Sequence, residues 1–390
     1  MPVLGAERDH MNHDDLGAGL AGTALHKMVV ARDQGDWTAA HAAAKAISSQ
    51  PITAHPAHAS LYRGAPAVAY VLHIADHPAY TRALAQLDAE VVAIVADRLA
   101  AAHHRIDSKA PPYLREYDLI SGLTGLGAYL LHQGHDNVLE RVLRYLVRLI
   151  TEPLTVHGHQ VPGWWAATGL RDTPETGQLA HGHANFGIAH GVSGPLALLA
   201  LAHRTGYTVT GQDDALAEGI THLTTWAQPL DGGGTGWPEY LPLHAYRKRP
   251  EPGAAPGRPS WCYGTPGIAR ALQLAAVALH DDTARRLAEH TAFQAITDPR
   301  QTGQITETSL CHGWAGLLLA AGRIASDAAR LDLAGALPAL HSRLTTDMGQ
   351  HRTAEHAGLL TGNAGVLLTL HALTTARPVD LGWETCLLLN

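Results

Sequence analysis

Trp261-Cys262-Tyr263-Gly264-Thr265-Pro266-Gly267 and Leu310-Cys311-His312-Gly313-Trp314-Ala315-Gly316 follow one plan, forty-nine residues apart. In each, a soft metal-binding side chain stands one or two residues ahead of a Gly-x-x-Gly step, and an apolar run follows. The step also opens at Gly19, Gly64, Gly122, Gly191 and Gly362, with Ala67 replacing the second glycine in one copy. Successive copies lie 45, 58, 69, 73, 49 and 49 residues apart. Seven copies of one step indicate seven structural units, and the longer spacings indicate insertions into a single plan.

The runs behind the glycines, such as Leu126-Gly127-Ala128-Tyr129-Leu130-Leu131 and Leu317-Leu318-Leu319-Ala320, are apolar nearly all round. Helices of that kind are buried on every side. Between them lie amphipathic stretches with charge on one face, for example residues 139–150 and 280–290. A unit of 49 residues holds two helices and two connections, so the units predict an inner ring of seven helices wrapped by an outer ring of seven. The expected fold is all-α, a single α,α-toroid spanning 1–390. Glycine next to each helix start lets inner helices and loops approach closely where the ring narrows. With all inner helices running one way, the residues ahead of each step gather at one mouth, near several positive helix ends.

Two connections depart from this pattern. Residues 151–185 and 229–260 are long, rich in Gly, Pro and Trp, and poor in helical period. They are expected to be irregular insertions over the mouth. His157-x-His159 and His181-x-His183 raise the question of a second metal, but with 27 histidines in the chain they are read as surface loop positions.

Composition narrows the function. A net charge of −7 and no basic run give no reason to expect nucleic acid. The first fifteen residues lack a positive region followed by an apolar core, and no uncharged apolar stretch of about 18 residues occurs, so there is no transmembrane segment and the cytoplasm is the default. Three cysteines are too few and too odd in number for a disulfide framework, which in a reducing compartment favours a metal or a nucleophile. Cys386 has no ligand-type neighbour and is read as a small buried hydrophobe.

Cys262, Cys311 and His312 offer two thiolates and an imidazole, a set suited to Zn2+ with one corner open. Two thiolates quench much of the cation's charge, which disfavours hydrolysis, whereas a thiol entering the open corner is held as a nucleophilic thiolate. Thiol addition to an activated alkene then requires a proton for the α-carbon and stabilisation of the developing oxyanion. His190, at the place of His312 in its own unit, is the natural acid/base, with Asp118 to fix its tautomer. Arg258, four residues before Cys262, and the Tyr263 hydroxyl are candidates for the oxyanion. Two rivals use the same ligands: a zinc thiol-transferase acting on glutathione or other small thiols, and a non-catalytic zinc-stabilised toroid that binds a peptide.

Trp261-Cys262-Tyr263-Gly264-x-Pro266-Gly267, Cys311-His312-Gly313-x-x-Gly316 and Asn185-x-Gly187-x-Ala189-His190-Gly191-x-x-Gly194-Pro195 together resemble the signature of the lanthipeptide cyclases, the LanC-like family. The resemblance covers nearly the whole chain. It implies zinc on Cys262, Cys311 and His312, an acid/base pair of His190 and Asp118, and Arg258 and Tyr263 near the reacting centre. It further implies intramolecular Michael-type addition of peptide cysteine thiols to dehydroalanine or dehydrobutyrine, giving lanthionine or methyllanthionine rings. The family's small β-rich insertion would correspond to 151–185. With no kinase or lyase segment ahead of the toroid, the chain resembles the stand-alone class I type. The partners so implied are a dehydrated precursor peptide with its leader, a separate dehydratase and a transporter complex.

Overall fold

The computed structural model describes residues 13–169, 177–248, 257–328, 330–350, 357–374 and 382–390. Each glycine step opens a helix: Leu20–Gln34, Ala65–Ala75, Leu123–Gln133, Ser193–Arg204, Thr265–Ala278, Trp314–Asp327 and Asn363–Thr374. Their all-round apolar character is matched by burial, every residue from Thr265 to Ala276 being buried. Each packs against the next and the seventh packs against the first, closing an α,α-toroid. Outer helices Thr38–Ile47, Thr81–Asp107, Asp136–Thr151, Gln212–Trp226, Asp282–Thr297 and Leu331–Gln350 each lie on the inner helix that precedes them. In Asp136–Thr151 the stripe Leu139, Val142, Leu143, Leu146 and Ile150 faces inward while Arg141 and Arg144 face solvent. Among the described residues there are six outer helices rather than seven.

The second glycine of the step has a specific steric role. A methyl group at Gly316 would sit 1.8 Å from the Leu310 carbonyl oxygen, and one at Gly267 would sit 2.0 Å from that of Trp261. Gly125 and Gly365 stand in the same relation to Leu119 and Leu359. Where the second glycine is present, the loop ahead of the helix folds back so that a carbonyl six residues earlier occupies the space of a side chain. Gly316→Ala is therefore expected to lower stability by about 1–3 kcal/mol, read from the denaturant midpoint at constant m-value.

That backfolding brings the loops of successive units together at the mouth. The Leu119 amide donates to the Ala189 carbonyl (3.0 Å), Ala189 to Cys262 (3.2 Å), Cys262 to Cys311 (3.2 Å) and Cys311 to Leu360 (2.8 Å). Leu360 donates to Gly17 (2.7 Å) and Leu16 to Tyr62 (2.9 Å), so the seven loops are joined by main-chain hydrogen bonds at six of their seven junctions. Arg98 spans the remaining gap, donating to the carbonyls of Pro56 (2.7 Å) and Ala59 (2.8 Å) in one unit and of Ser121 in the next.

The long connections, poor in helical period, contain short strands, as the resemblance implied for 151–185 and as was not expected for 229–260. Leu154–Val156 pairs with His159–Val161, Gln228–Pro229 with Thr235–Gly236, and His183–Asn185 with Tyr240–Pro242, joining the two connections to each other. Strands of two or three residues are too short to produce a legible alternation. His183 is completely buried in one of them, which corrects its reading as a surface position. The rings of His157 and His181 lie 4.1 Å apart, yet among the described residues no second group of three metal-type ligands occurs.

Residues 382–390 occupy the axis of the ring. Tyr62 donates its hydroxyl to the Cys386 carbonyl (2.6 Å), Trp261 its indole N–H to Leu387 (3.1 Å) and Arg270 its Nε to Leu389 (3.1 Å). Arg323 grips the buried Glu384 with two bonds of 2.5 and 2.6 Å. Cys386 is fully buried, its thiol pushed up to about 12 by that burial, in keeping with a packing role.

Candidate metal centre

Cys262 stands two residues before Gly264, which caps its helix, and Cys311 stands at the equivalent place ahead of Gly313. The Cys262 amide bond to the Cys311 carbonyl clamps these loops side by side. As a result both sulfurs and a nitrogen of His312 lie within 4.8 Å of one another. Zinc with bonds of about 2.3 Å to sulfur and 2.0–2.1 Å to nitrogen needs ligand atoms roughly 3.5–3.8 Å apart, so small rotations suffice to close the set. Among the described residues no fourth Cys, His, Asp or Glu joins this group.

Cys262 is the thiol that ionises first. A hydrogen bond from Cys311 pulls it well below the usual range, helped by His312 and Ser260 and opposed by burial. Cys311, as donor in that bond and itself buried, is pushed up. A divalent cation entering the set would displace the thiol protons.

The acid/base candidates reach the same place through the collar. The bond from Ala189 to Cys262 seats the 185–190 loop on the cysteine loop, where a methyl group at Gly187 would lie 2.8 Å from the Tyr263 ring. His190 Nδ1 is 2.6 Å from Asp118 Oδ2, and the Ser121 amide donates to Asp118 Oδ1 at 2.6 Å. Asp118 is 2% exposed, whereas His190 is only partly covered. With its carboxylate fixed at both oxygens, Asp118 holds the Nδ1–H tautomer and turns Nε2 away from itself. Tyr263 stacks on the His190 ring, centroids 5.9 Å apart. Burial drives the Tyr263 phenol above its ordinary range, so it keeps its proton and can donate.

Arg258 lines a cavity of about 300 Å3 together with Trp237, Glu239 and Tyr263. All seven site residues expected from the sequence therefore come to one end of the ring. Two acidic neighbours were not anticipated. Glu239, exposed at the edge of that cavity, has its carboxyl raised by partial desolvation and by Cys262 against the pull of Arg258. Glu307 Oε1 lies 2.6 Å from His312 Nε2. A signal for Glu307 did exist, since it stands four residues before Cys311 as Arg258 stands four before Cys262.

Residues 10–388 match the model of the family described as lanthionine synthetase C-like protein. Among curated proteins, the nisin biosynthesis protein NisC of Lactococcus lactis subsp. lactis is 28% identical over 269 residues, spanning 66% of this chain and 60% of the relative's length. Among solved structures, nisin cyclase superposes with a TM-score of 0.77 at 22% identity over 98% of this chain and 93% of that one, which establishes the shared fold. No helix among the described residues is long and apolar enough to cross a membrane. With the family pattern running across nearly its entire length, the chain belongs to the lanthionine synthetase C-like family.

Proposed function

We propose that this protein is a zinc-dependent lanthipeptide cyclase, which adds a peptide cysteine thiol to dehydroalanine or dehydrobutyrine in the same peptide to form a lanthionine or methyllanthionine ring. The observation that carries this reading is the convergence of Cys262, Cys311 and His312 with a second, independent pair, His190 and Asp118, at one mouth. Zinc on the three ligands would supply a site where the peptide cysteine is kept as a thiolate.

The remaining roles fall to the chain itself. In the addition a carbon–sulfur bond forms at the β-carbon, the alkene electrons move to the neighbouring carbonyl oxygen, and the α-carbon takes up a proton. His190 Nε2 exchanges that proton, its Nδ1–H held by Asp118 at 2.6 Å. The Tyr263 phenol, kept protonated by burial, and the Arg258 guanidinium stabilise the developing enolate oxygen. The substrate class is a dehydrated precursor peptide with its leader, and a separate dehydratase supplies the alkene.

The test is a count of free thiols in a dehydrated, leader-bearing peptide. Thiols are expected to disappear with the holoenzyme, to persist after chelation, and to disappear again once Zn2+ is restored. Ring formation that continues in the chelated protein overturns the metal role. If the peptide keeps its thiols while glutathione is added to the alkene, the small-thiol transferase reading replaces this one.

A further inference from the structure

His312 is the ligand whose geometry the metal set leaves least constrained. Each cysteine offers one sulfur, but an imidazole offers two nitrogens, either of which can bind a metal while the other carries the proton. A ligand that samples both tautomers binds less tightly, because one of them presents a proton to the cation.

Glu307 removes that ambiguity. Its Oε1 lies 2.6 Å from His312 Nε2, so the proton belongs on Nε2 and the lone pair on Nδ1 is left for a cation held jointly with the two sulfurs. The carboxylate is itself held in place. The Glu307 carbonyl accepts the Trp314 amide at 3.1 Å, and a methyl group at Gly313 would lie 2.6 Å from that same carbonyl oxygen. The segment 307–313 is thus wrapped over the start of the helix Trp314–Asp327, returning Glu307 to the side of the imidazole five residues later. Ser309, within the same wrap, accepts the His312 amide at 3.4 Å through its hydroxyl. The ring of His312 is consequently fixed by its main chain at one end and by Glu307 at the other.

We propose that Glu307 is a positioning residue of the metal centre, one that commits His312 to binding zinc through Nδ1 by accepting the Nε2 proton. The inference rests on the assignment of Cys262, Cys311 and His312 as zinc ligands. Carboxylates in this relation to a ligating histidine are worth about 10–100-fold in metal affinity. The Glu307 side chain is 40% exposed, so its replacement is expected to leave the toroid folded.

Zn2+ affinity is measured by competition with a chromophoric chelator for the full-length wild-type protein, Glu307→Ala, Glu307→Gln and Cys311→Ala, with circular dichroism as the folding control. Glu307→Ala is expected to bind Zn2+ about 10–100-fold more weakly than wild type. Glu307→Gln, whose amide oxygen still accepts the Nε2 proton but without a full charge, falls between them. Replacing Zn2+ by Co2+ reads the geometry directly: the ligand-field bands shift or broaden in Glu307→Ala and return toward wild type in Glu307→Gln. A Glu307→Ala affinity within twofold of wild type, with an unchanged Co2+ spectrum, overturns the role of Glu307 while leaving the zinc assignment standing. Failure of the wild-type protein to outbind Cys311→Ala overturns the zinc assignment and this inference with it.

Discussion

Cys311→Ala is expected to empty the metal centre and to stop ring formation while leaving the toroid folded. The substitution removes one of the three donors that come together among the described residues, and the two that remain cannot match the tetrahedral set. Since losing an outer-shell partner alone costs 10–100-fold in affinity, losing a ligand is expected to cost more than about 100-fold. The main chain at Cys311 is untouched by the change: its amide still donates to Leu360 and its carbonyl still accepts from Cys262. Metal analysis after dialysis, thiol counts on the dehydrated peptide and the far-ultraviolet circular dichroism spectrum check the three parts together. A variant that retains one equivalent of zinc and full thiol consumption refutes the ligand assignment.

His190→Ala has the opposite signature. Ring formation is expected to fall by about 10²–10⁴-fold, the usual contribution of a positioned acid/base, with zinc content unchanged. The side chain is about 30% exposed at the mouth and leaves no large cavity when truncated. Removing it does strand Asp118, a carboxylate 2% exposed whose other oxygen is held by the Ser121 amide. Some stability is therefore lost as well, on the order of 1–3 kcal/mol. His190→Asn keeps a donor for Asp118 and separates the two effects: stability recovers while ring formation stays low. Thiol loss at the wild-type rate in both variants would overturn the acid/base role of His190, and a rate no faster than without protein would favour a toroid that binds peptide without catalysing the addition.

These experiments address different sites because the chain divides its tasks between units. Cys262 and Cys311 come from neighbouring loops, His190 from the loop before them and Asp118 from the one before that, each handed to the next by a single main-chain bond. A change that displaces one loop, such as Gly316→Ala, is therefore felt at a ligand several residues away.

The glycine step was legible because it repeats, and repetition survives insertions. The forty-nine-residue interval between Gly264 and Gly313 places Cys262 and Cys311 in register before any contact is known. The gathering of His190, Asp118, Arg258 and Tyr263 at the same mouth was legible through their offsets from the same glycines. The paired strands at 183–185 and 240–242 were not, since three residues carry no period. His183 was misplaced for a related reason: among 27 histidines, composition alone does not say which one is enclosed.

By itself the sequence determined the number of inner helices, their apolar faces and the meeting of Cys262, Cys311 and His312, because each is written in local period or in spacing from a glycine. Only the tertiary structure decided that the mouth is tied by a collar of main-chain bonds with Arg98 across its gap, that Glu307 meets His312, and that residues 382–390 fill the axis of the ring. The physical reason is distance along the chain. The bond from Tyr62 to the Cys386 carbonyl joins residues 324 apart, and such a contact exists only once the seventh inner helix has closed on the first.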